Sequence, residues 1–147
     1  IIKDNIKLLS EIDLSVNINF NPRNSSIFFE CDKEQMNRVI FNLVKNSIES
    51  IQQKAQNTSN FDKIITIEIS NENGHISIII IDCGIGFGNF TKNIKDVLNP
   101  YFTTKKNGTG LGLSIVNKII NDHNGKIDFI PINDGAKVNI IFNSNDS

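Results

Sequence analysis

Residues 76–81 are apolar at every position except Ser77, and they follow Asn73-Gly74, the strongest short hairpin signal a sequence can carry. A strand with so little polar alternation belongs in the middle of a sheet, so other segments must supply its neighbours and its cover. Ile65, Ile67 and Ile69, alternating with Thr66, Glu68 and Ser70, supply the preceding hairpin partner. Val16, Ile18 and Phe20 alternate with Asn17, Asn19 and Asn21, and beyond the break at Pro22-Arg23-Asn24 residues 27–31 read as another short strand. Two more strands are expected over 126–130 and 136–142, around a turn at Asn133-Asp134-Gly135.

The cover comes from helices. Asp32 with Gln35 three residues later has the form of a capping box, and the helix it opens runs to about Gln56. Met36, Val39, Ile40, Leu43, Val44, Ser47 and Ile51 form its core-facing stripe. Ile2, Ile6 and Leu9, widened by Leu8, mark a helix over residues 1–10, the tail of a preceding linker helix. A third helix begins at about Leu111, carries Leu111, Ile115, Val116, Ile119 and Ile120 on one face, and stops at Asn124-Gly125. A short helix is also expected near 94–98, inside a long connection of the kind that serves as a lid or binding loop or else is disordered. The fold class is therefore α/β (α+β): a two-layer sandwich with a mixed, mostly antiparallel sheet covered on one face by helices. At 147 residues, a chain buries roughly 70% of its unfolded surface, so positions 1–147 read as one domain.

Several function classes are excluded early. Fifteen basic against sixteen acidic residues leave a net charge of −1, so there is no broad attraction to nucleic acid or anionic lipid, and any phosphate must be held by local geometry. No apolar run approaches the roughly 20 residues of a membrane helix, and there is no signal peptide. The start at Ile1-Ile2 without methionine suggests an excised fragment or a processed product. Cys31 and Cys83 match no metal-ligand spacing and read as reduced thiols of an intracellular domain.

Three clusters can carry chemistry. Asn42, Asn46 and Glu49 share a helix face; Asn is a poor helix former, and its amide oxygen can serve a hard cation such as Mg²⁺ without repelling phosphate. By spacing alone a solvated face is the commoner reading. Asp82-Cys83-Gly84-Ile85-Gly86 ends the apolar strand, where a carboxylate can accept from an exocyclic amine such as that of adenine and glycines permit close approach. Taken singly, an Asp-Gly turn is usually only a turn. Residues 108–113, GTGLGL, stand where a loop becomes a helix, so backbone amides and the helix dipole can hold phosphate; no strand directly precedes them, which removes the dinucleotide-binding alternative, and no GxxxxGK[ST] is present. Lys105 and Lys106 can reach phosphates from the connection, although a solvated pair is the default. His75, at a hairpin turn, and His123, at a helix C-terminus, both read as structural or solvent-facing and not as catalytic.

Together these segments resemble the catalytic ATP-binding domain of bacterial sensor histidine kinases, within the Bergerat-fold superfamily that includes DNA gyrase and the large heat-shock chaperones. NRVIFNLVKNSIES is similar to the N box, DCGIGFG to the G1 box, NPYFTTK to the F box and GTGLGLSIV to the G2 box, and the stretch PYFTTKKNGTGLGLSIVNKIINDHNG looks closest to nitrogen-regulation kinases of the NtrB and NtrY type. The resemblance implies a Bergerat fold with a mobile ATP lid, F box and lid occupying 87–110, and ATP with Mg²⁺ as ligands. It implies Asn46 as Mg²⁺ ligand, Asn42 assisting at metal or phosphates, Lys45 near the phosphates and Asp82 on the adenine amine. Gly84 and Gly86 would shape the adenine pocket, and Phe102 would pack the lid. Gly108, Gly110 and Gly112, with Leu111, would cradle the triphosphate, and Lys105 and Thr109 would be lid contacts.

Ser47 stands where the family usually has Ala, a change that should be tolerated on the core side. The larger departure is the absence of a phosphoacceptor His-Glu/Asp hairpin, so the fragment alone is not expected to autophosphorylate. Hydrolytic relatives carry a glutamate where Asn42 stands here, which favours transfer over hydrolysis. The implied partners are the phosphoacceptor histidine hairpin of the same parent and a response-regulator receiver domain. Nucleic acid and membrane contact are not expected. The fragment would be a cytoplasmic monomer, its parent a homodimer open to anchoring in the bacterial inner membrane. The alternatives are a Bergerat-fold ATPase or protein serine kinase, and a nucleotide-binding module without catalysis.

Overall fold

The computed structural model describes residues 2–22, 31–72, 74–86 and 112–143. Their order is α1 (Ile2–Leu9), β1 (Asn17–Pro22), α2 (Lys33–Ala55), β2 (Ile64–Glu72), β3 (His75–Asp82), α3 (Gly112–Asp122), β4 (Lys126–Ile132) and β5 (Gly135–Asn143). Five strands form one open sheet in the order β1-β2-β3-β5-β4. β1 runs parallel to β2, and the remaining neighbours are antiparallel. The expected mixed sheet is present, with the Ile-rich strand β3 at its centre. The strand expected over 27–31 and the short helix near 94–98 fall in or largely in residues outside those described.

Register explains the layering. Ile67, Ile80, Val138 and Phe129 lie side by side across the sheet, as do Ile69, Ile78, Ile140 and Ile127. These rows face the helices and supply much of the core. On the other face Ile79 and Ile81 are only half-buried. Glu68 with Asn139, and Thr66 with Lys137, flank them there, so the stems of polar neighbours shield part of their apolar surface.

α2 is the long covering helix. The Asp32 carboxylate caps it by accepting from the Gln35 amide at 3.1 Å, and the whole expected stripe, together with Ile48, is buried. α1 and α3 pack against it. Two expected stripes need correcting. Leu8 is 57% exposed while Leu9 is fully buried, so Leu8 does not widen the α1 face. On α3, Ile115 is exposed, and Leu113, Val116, Ile119 and Ile120 make the core contacts instead, because Leu113 and Val116 are spaced three apart in line with Ile120.

The reciprocal arm of the expected capping box is replaced by a long-range one. The Asp32 amide donates to His123 Nε2 at 3.1 Å, and His123 Nδ1 lies 2.8 Å from the Ile119 carbonyl. Through these two contacts the His123 ring ties the start of α2 to the end of α3. His123 is structural, as its position at a helix C-terminus indicated. His123→Ala should cost about 1 kcal/mol, read as a lower urea midpoint with an unchanged slope. Immediately beyond, Asn124 adopts φ 59° and the Gly125 amide closes on Ile120 O at 2.9 Å, the left-handed stop anticipated at Asn124-Gly125.

Candidate functional site

Asp82 is the last residue of β3, opposite Ile65 and Ala136, and its register places it on the helix-covered face. Ser47 and Asp82 are the buried polar side chains among the described residues, 5% and 8% exposed. They meet: the Ser47 hydroxyl donates to the Asp82 carboxylate, which also accepts from the amides of Gly84, at 2.9 Å to Oδ1, and Ala136. Burial pushes the Asp82 pKa above the ordinary 3.8; the three donors and the Lys54 charge work against that rise. A partly desolvated acceptor at the edge of an apolar core is a strained polar site, and such sites cluster where ligands bind.

The turn after Asp82 is closed in from two sides. A Cβ on Gly84 would collide with Ser50 Oγ and stand 2.7 Å from the Ser50 carbonyl carbon. Gly86 has φ 71°, and a Cβ there would come within 2.6 Å of the Gly135 carbonyl oxygen. Ser50 Oγ accepts from the Ile85 amide at 2.9 Å. Lys54 Nζ donates to the Cys83 carbonyl at 2.8 Å and lies 4.8 Å from the centre of the Phe61 ring. Cys83 Sγ in turn donates to the Asp62 carbonyl at 3.1 Å; both cysteines are free thiols.

Asn42 and Asn46 are half-buried on α2 and lie on one face with Ser50, at steps of four residues. Since Ser50 touches the turn and Ser47 touches Asp82, the structure brings the N-box face and the Asp82 turn together. Lys45 is exposed, with its ammonium 5.9 Å from the Phe41 ring. Gly112 opens α3, whose first turn has outward backbone amides to offer an anion. Phe102, Lys105, Gly108, Thr109, Gly110 and Leu111 lie outside the described residues. No group of three or more His, Cys, Asp or Glu side chains among the described residues could hold a metal ion. The oxygen donors at hand, the Asn42 and Asn46 amides, suit a Mg²⁺ ion that takes most of its ligands from water and phosphate. Sequence reasoning missed Ser50, Lys54 and Gly135, and it took Ser47 for a packing residue. The available signal was the pair of serines inside a helix, where Ser, like Asn, is a poor choice without a local task.

Residues 31–145 match the family model described as histidine kinase-, DNA gyrase B- and HSP90-like ATPase. The chain belongs to this family. Among its relatives, the sensor protein TdiS of Thauera aromatica is 33% identical over 88% of this chain and 23% of its own length. An NtrY-like sensor histidine kinase of Rickettsia felis is 37% identical over 68% of this chain and 15% of its own. This HATPase domain thus spans less than a quarter of the curated relatives it matches. Among solved structures, the nucleotide-free catalytic domain of histidine kinase ThkA superposes with a TM-score of 0.80 and 27% identity, covering 97% of this chain and 90% of that one. The HATPase fold is therefore the histidine kinase catalytic-domain fold, and the N-box and G1 resemblance coincides with the two segments that meet at Asp82. No helix among the described residues is long and apolar enough to cross a membrane.

Proposed function

We propose that this chain is the catalytic ATP-binding domain of a two-component sensor kinase. It binds Mg-ATP and passes the γ-phosphoryl group to a histidine on a separate dimerisation hairpin of the same parent, for delivery to a response-regulator receiver domain. Positions 1–147 act as one catalytic unit, with residues 1–10 as the tail of a linker helix and 87–110 as F box and lid. The observation that carries the reading is the buried Asp82 carboxylate at the mouth of a glycine turn, beside the Asn42 and Asn46 face of α2.

In this reading Asp82 accepts from the adenine exocyclic amine, and Gly84 and Gly86 let the ring lie against the backbone. Asn46, assisted by Asn42, holds Mg²⁺, which supplies charge neutralisation at the phosphates. Lys45, the amides around Gly108, Gly110, Leu111 and Gly112, and the lid residues Phe102, Lys105 and Thr109 complete the enclosure. The chain's contribution is positioning: an imidazole nitrogen attacks phosphorus in line, the bond to the β–γ bridging oxygen breaks, and ADP leaves. Position 42 itself offers an amide and not a carboxylate, so it cannot activate water as a general base. The same reading puts the domain in the cytoplasm, monomeric by itself and dimeric in its parent.

Calorimetric titration of the 147-residue chain with ADP should give Mg²⁺-dependent binding, and Asn46→Ala should remove the Mg²⁺-dependent part while leaving the circular dichroism spectrum unchanged. Mixed with ATP and a separately made phosphoacceptor hairpin, the chain should label the hairpin with acid-labile phosphate. Multiple-turnover phosphate release without transfer would instead make it an ATPase, and tight binding with neither outcome a nucleotide-sensing module.

A further inference from the structure

Where the core face of α2 meets its asparagine face, three polar side chains are directed at the same target. Ser47, Ser50 and Lys54 are three and seven residues apart from the first, which places them within a sector of about 60°. Each reaches a different part of one short turn: Ser47 the Asp82 carboxylate, Ser50 the Ile85 amide, Lys54 the Cys83 carbonyl. Serines inside helices ordinarily bond their own backbone a turn earlier. Here the Ser50 hydroxyl serves an amide 35 positions away.

The turn needs such support. Gly84 and Gly86 lie within it, Gly86 in a left-handed conformation, and glycine loses more conformational freedom on folding than any other residue. Left to itself, a segment of this kind samples many shapes, and a carboxylate beside it would have no fixed direction. Side-chain tethers from a rigid helix remove that freedom before a ligand arrives, which is how preorganisation strengthens binding. The ammonium of Lys54 is itself fixed between the Cys83 carbonyl and the Phe61 ring, so this tether is not a loose surface lysine.

We infer that Ser47, Ser50 and Lys54 are positioning residues that hold the turn from Asp82 to Gly86 in its ligand-receiving shape, coupling the adenine end of the site to the helix that bears Asn42 and Asn46. The inference rests on the nucleotide-binding reading above. It assigns no contact with nucleotide to these three side chains; they act through Asp82 and the turn backbone.

The test uses the 147-residue chain and two readouts. In the nucleotide-free chain, amide hydrogen exchange at Ile85 should speed up about tenfold in Ser50→Ala and return towards the original rate in Ser50→Thr, which keeps the hydroxyl. ADP affinity in Mg²⁺ should fall about fivefold in Ser50→Ala and recover in Ser50→Thr. A purely structural loss would not follow the hydroxyl in this way. The pH profile of ADP binding separates the members further. The charged group facing Asp82 from α2 is Lys54, while β2 and β5 present Ile65 and Ala136 to it. Ser47→Ala and Lys54→Met should move the acid limb to higher pH, because each removes a group that favours the ionised carboxyl; Ser50→Ala should leave the limb in place. If the unaltered chain binds ADP but Ile85 exchange and affinity are the same in Ser50→Ala, the positioning role falls and the nucleotide reading stands. If the unaltered chain binds no adenine nucleotide, both fall. Should Ser47→Ala fail to fold, the Ser50 and Lys54 variants still decide the matter.

Discussion

Gly135→Ala should destabilise the chain by about 3 kcal/mol and abolish nucleotide binding, although residue 135 lies outside every motif the sequence displays. Gly135 is the first residue of β5, just after the Asn133-Asp134 turn, and a Cβ there would run into the Asp82 carbonyl oxygen, with the Asp82 carbonyl carbon at 3.0 Å and Cys83 Cα at 3.2 Å. All three are backbone atoms, so no rotamer change relieves the overlap. The Gly135 carbonyl in turn limits the space at Gly86. Pushing β5 away would open the β3–β5 register where Asp82 pairs with Ala136 and would remove the Ala136 amide from the carboxylate. A urea midpoint and an ADP titration check this; a variant that keeps both would show that the turn can shift as a body without loss. Gly84→Ala should have a related effect from the opposite side. It cannot be rescued by Ser50→Ala, because the Ser50 backbone as well as the hydroxyl is in the way.

The contrast between Gly135 and Gly84 shows where sequence reading reaches. Gly84 follows a nearly continuous apolar strand and an Asp, so its task could be read from local order. Gly135 stands in an Asn-Asp-Gly turn that looks like any hairpin, and its task arises from a strand pairing that local pattern does not encode. The same division holds for α2. Its length, its Asp32 cap and its buried stripe follow from the 3.6-residue period, and all are present in the structure. The capping partner of Asp32 is instead His123, 91 positions away. Asn42 and Asn46 were visible as misfits in a helix. Ser47 was visible too, but on a stripe of apolar residues a small polar side chain reads as packing until a buried acceptor is found opposite it. Leu8 and Ile115 fail for a plainer reason: in short helices next to apolar neighbours the stripe can be drawn along more than one line, and the packing partner selects among them.

Asp82→Asn should weaken ADP binding about a hundredfold, the scale expected when a charged hydrogen-bond acceptor is lost from a partly desolvated site. The same substitution carries a stability signature whose sign is unusual for an acidic residue. Most carboxylates in folded proteins have lowered pKa values and lend stability that is lost in acid. Asp82 is raised above 3.8, chiefly by desolvation. The folded chain therefore holds this proton at pH values where the unfolded chain has already released it. Its contribution to stability is fully present below 3.8 and is lost as pH rises through the raised folded value. Asp82→Asn cannot titrate, so the unfolding free energy of the variant should gain on that of the unaltered chain as pH rises through that window, and the difference should level off above it. Urea unfolding of both chains across the acid range checks the slope, and a difference that moves the other way would mean that the Ser47, Gly84 and Ala136 donors outweigh burial. The expected direction has a functional corollary. An ionised Asp82 in the unliganded chain is held against a desolvation cost, and a hydrogen bond from an adenine amine offsets part of that cost. Nucleotide should therefore lower the Asp82 pKa, and by linkage ADP affinity should rise with pH across the same window in which the unliganded chain loses stability.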